Sequence, residues 1–177
     1  MGRHAGFAQS HSSTQWRPPE WPCVKINVDG AISEQQRAFG MGALARNHEG
    51  EVLAAMACRG QGLVTGEVAE ANSLRRALQW ARDLAFANIV VETDCASLVT
   101  AVHSETPLHS SLGFVIQDCK GLISSFASCR LQHVRRVANA AAHELAKCAL
   151  QAEADEYWMK DVPDHVALLV AEDRIAL

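Results

Sequence analysis

Long hydrophobic runs are missing from this 177-residue sequence, although 49% of its residues are apolar. No stretch approaches the roughly 18 consecutive apolar residues that a membrane-spanning helix needs, so we expect no membrane association. The first residues also lack the basic and then apolar build of a secretory signal. The apolar content therefore predicts a globular core, and the length fits one domain with appendages.

Closely spaced cysteine pairs are missing as well. The six cysteines never form a C-x-x-C pair, which is the spacing typical of zinc and dithiol sites. Most of them lie in apolar stretches, so we interpret them as buried thiols in a reducing compartment. This predicts an intracellular location, in the nucleus or the cytoplasm, with an organelle as the alternative. The six are Cys23, Cys58, Cys95, Cys119, Cys129 and Cys148.

The basic surface that strong nucleic-acid binders usually carry is lacking. Residues 23–150 contain 12 basic and 12 acidic residues, and residues 151–177 contain 2 and 7, within a net charge of −4. The arginines that are present have two alternative explanations: they form a local positive patch, or they lie on ordinary solvated helix faces. These are Arg75, Arg76, Arg82, Arg130, Arg135 and Arg136.

Changes in composition divide the chain into three parts. Residues 1–20 are rich in His, Ser, Gly and Pro without periodicity, which predicts a flexible leader. Residues 21–150 carry the regular patterns of a folded domain, and we expect Trp21 to anchor its first segment. Residues 151–177 are acidic but contain an apolar set that includes Val166, so we expect an extension that packs on the domain. No pattern indicates an oligomeric state.

Residue patterns predict the strands. Residues 24–29 alternate apolar and polar side chains, and the runs 39–46 and 51–58 follow across a hydrophilic turn. These three runs predict an antiparallel meander. The β-branched run 88–94 comes after a helix, and this strand–helix–strand order predicts parallel pairing with the first strand. A last strand is expected at residues 130–134.

The remaining patterns predict helices at residues 95–103, 110–125 and 139–150, with a break near Pro107. Together with the strands they predict an α/β fold. Its sheet is mixed and five-stranded, with three antiparallel and two parallel strands, and helices flank it.

A further helix is predicted from Glu70 to about Phe86. Thr65 and Gly66 are typical helix-start residues, so we expect the Glu70 carboxylate in the first turn, near the positive end of the helix dipole. Complementing that dipole is one role for Glu70, and holding a cation is another. Apolar spacings of three and four give one buried stripe. Its members are Val68, Ala71, Leu74, Leu78, Ala81 and Ala85.

Three carboxylates are expected at the ends of separate elements: Asp29 on the first strand, Glu70 on the helix and Asp94 on the fourth strand. Such ends form sites in α/β sheets. Neighbouring carboxylates raise each other's pKa unless cations compensate them, and oxygen ligands suit Mg²⁺ or Mn²⁺. Two such ions activate water in a phosphodiester displacement. A turn at Asp29 or a helix cap at Asp94 is the alternative for each acid alone.

Five motifs occur in order: Trp21 with Lys25-Ile26-Asn27-Val28-Asp29-Gly30-Ala31, Phe39-Gly40-Met41-Gly42-Ala43, Ala69-Glu70-Ala71, Val91-Glu92-Thr93-Asp94 and Asn139-Ala140-Ala141-Ala142-His143-Glu144-Leu145-Ala146-Lys147. This series resembles the ribonuclease H superfamily. More narrowly, it resembles the plant reverse-transcriptase-like type 1 ribonuclease H domains. The resemblance covers about residues 21–150, and the tail with Trp158, Pro163 and Asp173 is similar to the same group.

The resemblance implies a ribonuclease H-like fold and an endonuclease that hydrolyses the RNA strand of RNA–DNA hybrids with two Mg²⁺ or Mn²⁺ ions. It implies that Asp29 bridges both ions, that Glu70 binds one near the ribose 2′-hydroxyl, and that Asp94 binds the other, where water is activated. His143 occupies the position of the family's fourth acid. By its position, His143 is implied to be a catalytic and metal-binding residue. Its uncharged nitrogen donor predicts that the site prefers Mn²⁺.

Two further departures from the family pattern concern the nucleic acid. Active relatives often carry two Asn residues before the helix Glu, where this chain has Gly66-Glu67, and a carboxylate there repels phosphates unless it faces solvent. Relatives also often use a mobile His after the last strand, where this chain has two arginines, while His133 is expected on the strand itself. The candidate nucleic-acid contacts are Gly30, Glu67, Arg135 and Arg136.

Two classes of function are consistent with these residues. The first is the metal-dependent endonuclease, which the retention of three acids favours. The second is a catalytically weak or inactive ribonuclease H-like module that binds nucleic acid or protein. His143, Glu67 and the neutral core favour this second class.

Overall fold

Six strands form one mixed sheet in the computed structural model, which describes residues 15–106 and 109–175. The strands are β1 (Val24–Ser33), β2 (Ala38–Arg46), β3 (Val52–Gln61), β4 (Asn88–Thr93), β5 (Ser128–His133) and β6 (Glu156–Met159). The helices are α1 (Gly66–Asp83), α2 (Ala96–His103), α3 (Ser111–Ile123), α4 (Ala140–Gln151) and α5 (Asp164–Ile175), and a 3₁₀ turn (Arg136–Asn139) precedes α4.

The strand order is β5-β4-β1-β2-β3-β6. Strands β1, β2 and β3 form the predicted antiparallel meander, and β4 pairs in parallel with both β1 and β5. The predicted mixed α/β sheet is therefore confirmed, with six strands instead of five. The sixth strand, β6, pairs antiparallel with β3. It has only four residues, too few for the alternation that identifies a strand in a sequence.

Both faces of β1 are buried, because α1 and α4 each pack against it. Ile26 and Val28 belong to a large apolar core shared with α1 and α3. A second, smaller core lies under α4 and α5 and includes Leu44, Leu145 and Val166. The three polar residues predicted on the other face of β1 are therefore buried rather than solvated. They are Lys25, Asn27 and Asp29.

Helix α1 starts at Thr65 and Gly66, the helix-start residues expected from the sequence, but Glu70 does not lie in its first turn. The Thr65 side chain accepts a hydrogen bond from the Val68 backbone N–H at 3.3 Å and caps a helix that starts at Gly66. Glu67 is the acid of the first turn, and Glu70 lies in the second turn. The dipole argument therefore applies to Glu67, because the effect of the helix end fades beyond its first turn.

The chain enters the fold at a different tryptophan from the one expected. Trp16 is 1% exposed, whereas Trp21, the predicted anchor, is 75% exposed. Trp16 belongs to the segment assigned to the leader, and its indole donates a hydrogen bond to Asn27. Residues 1–14 of that segment and Pro107, where a break was predicted, lie outside the described residues. The three-part division of the chain stays a prediction.

A buried polar network surrounds Asn27. Its side-chain oxygen accepts hydrogen bonds from Trp16 Nε1 and Arg46 Nη2, each at 3.0 Å. Its amide nitrogen donates to Glu92 Oε2 at 3.0 Å and to Asn139 Oδ1 at 3.2 Å. This one side chain therefore connects the N-terminal segment, β2, β4 and the 3₁₀ turn to β1.

Arg46 extends this network to the C-terminal helix. Its side chain is buried, and Nη1 lies 2.7 Å from Asp173 Oδ2 on α5. The guanidinium also stacks on Trp16, with its carbon 3.7 Å from the ring centroid. Helix α5 is therefore held by an ion pair as well as by the apolar contacts of Val166 and Val170.

All six cysteines are free thiols, and Cys58 and Cys119 are the two that are buried; the other four are partly exposed. Within the described ranges, none of the helices is both long enough and apolar enough to cross a bilayer.

Candidate active site

Three carboxylates meet where β4 ends beside β1. One oxygen each from Asp29, Glu70 and Asp94 lies within 4.8 Å of those of the other two. Asp94 follows β4 directly, as the sequence predicted, but Asp29 does not end its strand, since β1 continues to Ser33. What ends near Asp29 is the pairing of β1 with β4, whose last pair joins Asn27 to Glu92.

Glycines let two helices come close to Asp29. A Cβ at Gly30 would lie 2.8 Å from the backbone carbon of Ala69 and 2.9 Å from the Glu70 nitrogen, closer than side chains allow. On the other face, a Cβ at Gly42, the β2 partner of Asp29, would overlap the α4 backbone at Ala146. Bare backbone at these two positions is what allows α1 and α4 to approach Asp29 from both faces.

Burial and mutual repulsion raise the pKa values of two acids of this cluster, Asp29 and Glu70. Burial raises the pKa of Glu70 to about 9, and the charges of Asp29 and Asp94 add to the effect. Burial and then the charge of Asp94 also raise the pKa of Asp29, while hydrogen bonds from His143 and Glu70 oppose the rise. The cluster therefore holds protons strongly unless another positive charge replaces them.

The cluster fits a hard divalent cation. Glu70 Oε2 is buried and has no hydrogen-bond partner among the described residues. An unpaired buried carboxylate oxygen is costly, and a bound cation removes that cost. Mg²⁺ and Mn²⁺ prefer carboxylate oxygens, which is the donor set that Asp29, Glu70 and Asp94 offer.

Metal-free protein is expected to lose stability as the pH rises from about 4.5 to about 9. The pKa of Glu70 is raised from 4.5 to about 9 in the folded state, so folding favours its protonated form. This contribution is complete below the unfolded pKa and is lost as the pH rises through the folded pKa. It amounts to a few kcal/mol in order of magnitude.

The Tm of the protein in EDTA, measured at several pH values between about 4.5 and about 9, shows this loss of stability. The Glu70→Gln variant should show a flatter dependence of Tm on pH, and Mg²⁺ should flatten the dependence in the parent. Glu153→Gln, at an exposed acid between α4 and β6, is the control and should retain the parental slope. Equal slopes in the parent and Glu70→Gln would contradict the assignment.

His143 contacts the cluster from α4. Its Nδ1 lies 2.6 Å from Asp29 Oδ2, so the structure brings it beside the three acids, as the resemblance implied. Arg136 Nη2 lies 3.0 Å from the Nε2 of the same ring and 3.3 Å from its Nδ1. Arg136 Nη1 lies 4.0 Å from Asp94 Oδ2. Arg136 therefore lies at the carboxylate cluster, a placement that the sequence pattern did not predict.

The other candidate contacts lie around this cluster. Glu67 is exposed in the first turn of α1, one helical turn before Glu70, and Arg135 is exposed just before the 3₁₀ turn. Gly30 has a clear packing role between β1 and α1. His133 is the last residue of β5, where the sequence placed it. Their roles in binding nucleic acid stay predictions.

Sequence reasoning missed Asn139 as a residue that positions the site. Its amide donates to the Val28 carbonyl at 2.9 Å, next to Asp29, and its oxygen accepts from Asn27. It immediately precedes α4, so it ties the helix that carries His143 to the strand that carries Asp29. Two asparagines far apart in sequence give no pattern that predicts this contact.

The sheet has this mixed strand order, two helices flank it, and three carboxylates lie at the end of the β1–β4 pairing. Together these features define a protein of the ribonuclease H-like class. A sequence model of the reverse transcriptase-like family matches residues 27–149. The chain belongs to this family, within the ribonuclease H superfamily. A search of curated protein sequences found no match.

Solved structures agree on the fold. RNase H1 from the halophilic archaeon Halobacterium salinarum has a TM-score of 0.67 and 24% identity over 73% of this chain and 98% of that chain. The N-terminal RNase H domain of a Mycobacterium tuberculosis protein has a TM-score of 0.65 and 24% identity, over 73% and 94% of the two chains. LC11-RNase H1, from compost, has a TM-score of 0.64 and 20% identity, over 72% and 96%; its structure contains an RNA/DNA hybrid.

Proposed function

We propose that this protein is a metal-dependent endonuclease that hydrolyses the RNA strand of RNA–DNA hybrids. The observation that carries the proposal is the convergence of Asp29, Glu70 and Asp94 on a ribonuclease H-like sheet. The raised pKa values of Asp29 and Glu70 and the unpaired Glu70 oxygen favour a cation-binding role over three independent structural roles. The hybrid bound to the similarly folded LC11-RNase H1 supports the choice of substrate.

Each acid has a part in the proposed reaction. Asp29, Glu70 and Asp94 would hold Mg²⁺ or Mn²⁺, and the ion would supply polarisation of the phosphate and a lowered pKa of water. Asp29 is buried and fixed by His143, so it orients its carboxylate without rearrangement. Water supplies both the oxygen that bonds to phosphorus and the proton that the leaving sugar oxygen takes up, so no other reactant is needed.

A nucleic-acid-binding module without efficient turnover is the second candidate. It is favoured by His143, which removes one carboxylate from the family's set of four. The two-ion mechanism that the family resemblance implies needs a fourth oxygen ligand, and residue 143 offers none.

A gel assay with a labelled RNA–DNA hybrid separates these two functions. We expect the RNA strand to be cut with Mg²⁺ or Mn²⁺ and to stay intact in EDTA, while double-stranded DNA stays intact throughout. Binding of the hybrid without cleavage in either metal would favour the module.

Glu67→Asn is expected to tighten binding of hybrids. The Glu67 carboxylate is exposed one helical turn before Glu70, and its replacement removes a negative charge that repels phosphates. The gain should be roughly twofold to fivefold at low salt, with a modest change in the salt slope, because an exposed charge contributes up to about 1 kcal/mol. Asparagine also offers an amide donor to 2′-hydroxyls.

Fluorescence anisotropy with hybrid and with double-stranded RNA, at several salt concentrations, measures this change. We expect the parent to show only a small preference for the hybrid. Glu153→Asn is the control for loss of an exposed acid elsewhere. Identical binding curves for Glu67→Asn and the parent would remove Glu67 from the substrate surface.

We also propose that the protein works in a reducing compartment, the nucleus or the cytoplasm, with an organelle as the alternative. Six cysteines without a disulfide support this proposal, because disulfides are typical of oxidising compartments.

A further inference from the structure

Arg136 adds a positive charge to the carboxylate cluster. It is the first residue of the 3₁₀ turn that joins β5 to α4, and its guanidinium lies between Asp94 and His143. Nη1 lies 4.0 Å from Asp94 Oδ2, and Nη2 lies 3.0 Å from His143 Nε2. One side chain therefore reaches the acid that follows β4 and the histidine of α4 together.

His143 lies between Asp29 and Arg136. Its Nδ1 lies 2.6 Å from Asp29 Oδ2. Arg136 Nη2 lies within 3.3 Å of both ring nitrogens, so the guanidinium lies against the imidazole. An imidazole has no carboxylate oxygen, so the position of the family's fourth acid supplies neither a negative charge nor an oxygen ligand.

The charges of the cluster then favour one divalent ion. With a cation bound, the three carboxylates would carry three negative charges and the guanidinium one positive charge, an excess that a single divalent cation neutralises. A second ion would have to bind beside Arg136 and without a fourth oxygen ligand. Repulsion by the guanidinium and the missing ligand both oppose this.

We propose that Asp29, Glu70 and Asp94 bind one divalent cation, and that the Arg136 guanidinium supplies the second positive charge of the site. The role of this charge in meeting an RNA phosphate rests on the proposed function. Arginine suits the role because its planar fork matches phosphate oxygens. The number of bound ions does not depend on catalysis.

Titration of the full chain with Mn²⁺ alone tests the ion count. Free Mn²⁺ is followed by electron paramagnetic resonance, and heats of binding by calorimetry. We expect one tightly bound ion in the parent. The double variant His143→Asp/Arg136→Ala restores a fourth carboxylate and removes the guanidinium, so it should bind two. Arg82→Ala, which removes an exposed arginine in the last turn of α1, is the matched control and should bind one.

The single variant Arg136→Ala gives a second measurement that does not depend on restoring the fourth acid. It should tighten Mn²⁺ binding at least roughly fivefold, because the lost positive charge lies 4.0 Å from a proposed ligand oxygen, Asp94 Oδ2. Arg136→Lys keeps the charge and should stay within roughly twofold of the parent. Circular dichroism checks that each variant is folded.

Two ions of similar affinity in the parent would overturn the proposal, as would a single ion in a folded double variant. If the double variant does not fold, an unchanged Mn²⁺ affinity in Arg136→Ala overturns it. Hybrid cleavage is scored separately. A chain that binds one ion without cutting the hybrid contradicts the proposed nuclease and supports the ion assignment.

Discussion

The Asp29→Asn variant is expected to remain folded and to lose hydrolysis of the hybrid, by at least about a hundredfold. Asp29 is the buried member of the carboxylate cluster and the one that His143 contacts. A neutral amide ligand weakens the hold on the cation, which supplies several kcal/mol of charge stabilisation in phosphodiester hydrolysis. The gel assay with Mg²⁺ and with Mn²⁺ measures the loss.

The same substitution should slightly stabilise metal-free protein. Burial and the charge of Asp94 raise the pKa of Asp29, which shows that its ionised form is disfavoured in the fold. Asp83→Asn, at an exposed acid that ends α1, is the control and should retain full activity. Cleavage by Asp29→Asn at the parental rate would make the site assignment wrong.

Arg46→Met is expected to lower the free energy of unfolding by about 3–5 kcal/mol, the usual cost of breaking a buried ion pair. Methionine keeps an apolar stem but leaves Asp173 without its partner. It also removes the donor to Asn27 and the stack on Trp16. Urea unfolding, followed by circular dichroism, measures the change.

Two comparison variants separate the ion pair from general effects. Arg174→Met removes an exposed arginine next to Asp173 and should change stability by less than about 0.5 kcal/mol. The double variant Arg46→Met/Asp173→Leu removes both charges and should recover part of the loss. A loss below about 1 kcal/mol in Arg46→Met would show that the network contributes little to stability.

Local patterns predicted much of the fold. The alternation in β1 and the strand–helix–strand order around α1 gave the central pairing of β1 with β2 and β4, which the structure confirms. Helices α2, α3 and α4 lie within a few residues of their predicted bounds. Such elements are predictable because their residues bury one regular face of their own.

The acids were predicted individually, but periodicity could not predict that they meet. Glu70 comes beside Asp29 because Gly30 lets α1 approach β1, and Asp94 joins them because β4 pairs with β1, both matters of three-dimensional packing. The family resemblance supplied that grouping in the sequence analysis. It did not predict Arg136 at the cluster, because the placement of one long side chain depends on the 3₁₀ turn before α4.

Other errors share a physical cause. Glu70 was assigned to the first turn of α1 although it is the fifth helical residue after Thr65. The anchor was placed at Trp21 because Trp16 lies in a segment without periodicity. The pairing of Arg46 with Asp173 joins residues 127 positions apart. A polar contact across that distance leaves no repeating pattern in the sequence.

This long-range pair also affects the order of events during synthesis. A nascent chain that has reached the end of α4 already contains Asp29, Glu70, Asp94 and His143. It has not yet made Asp173, so the guanidinium of Arg46 lacks the partner that permits its burial. We therefore expect the burial of Arg46 to be completed only after α5 has been synthesised, and until then water solvates its guanidinium.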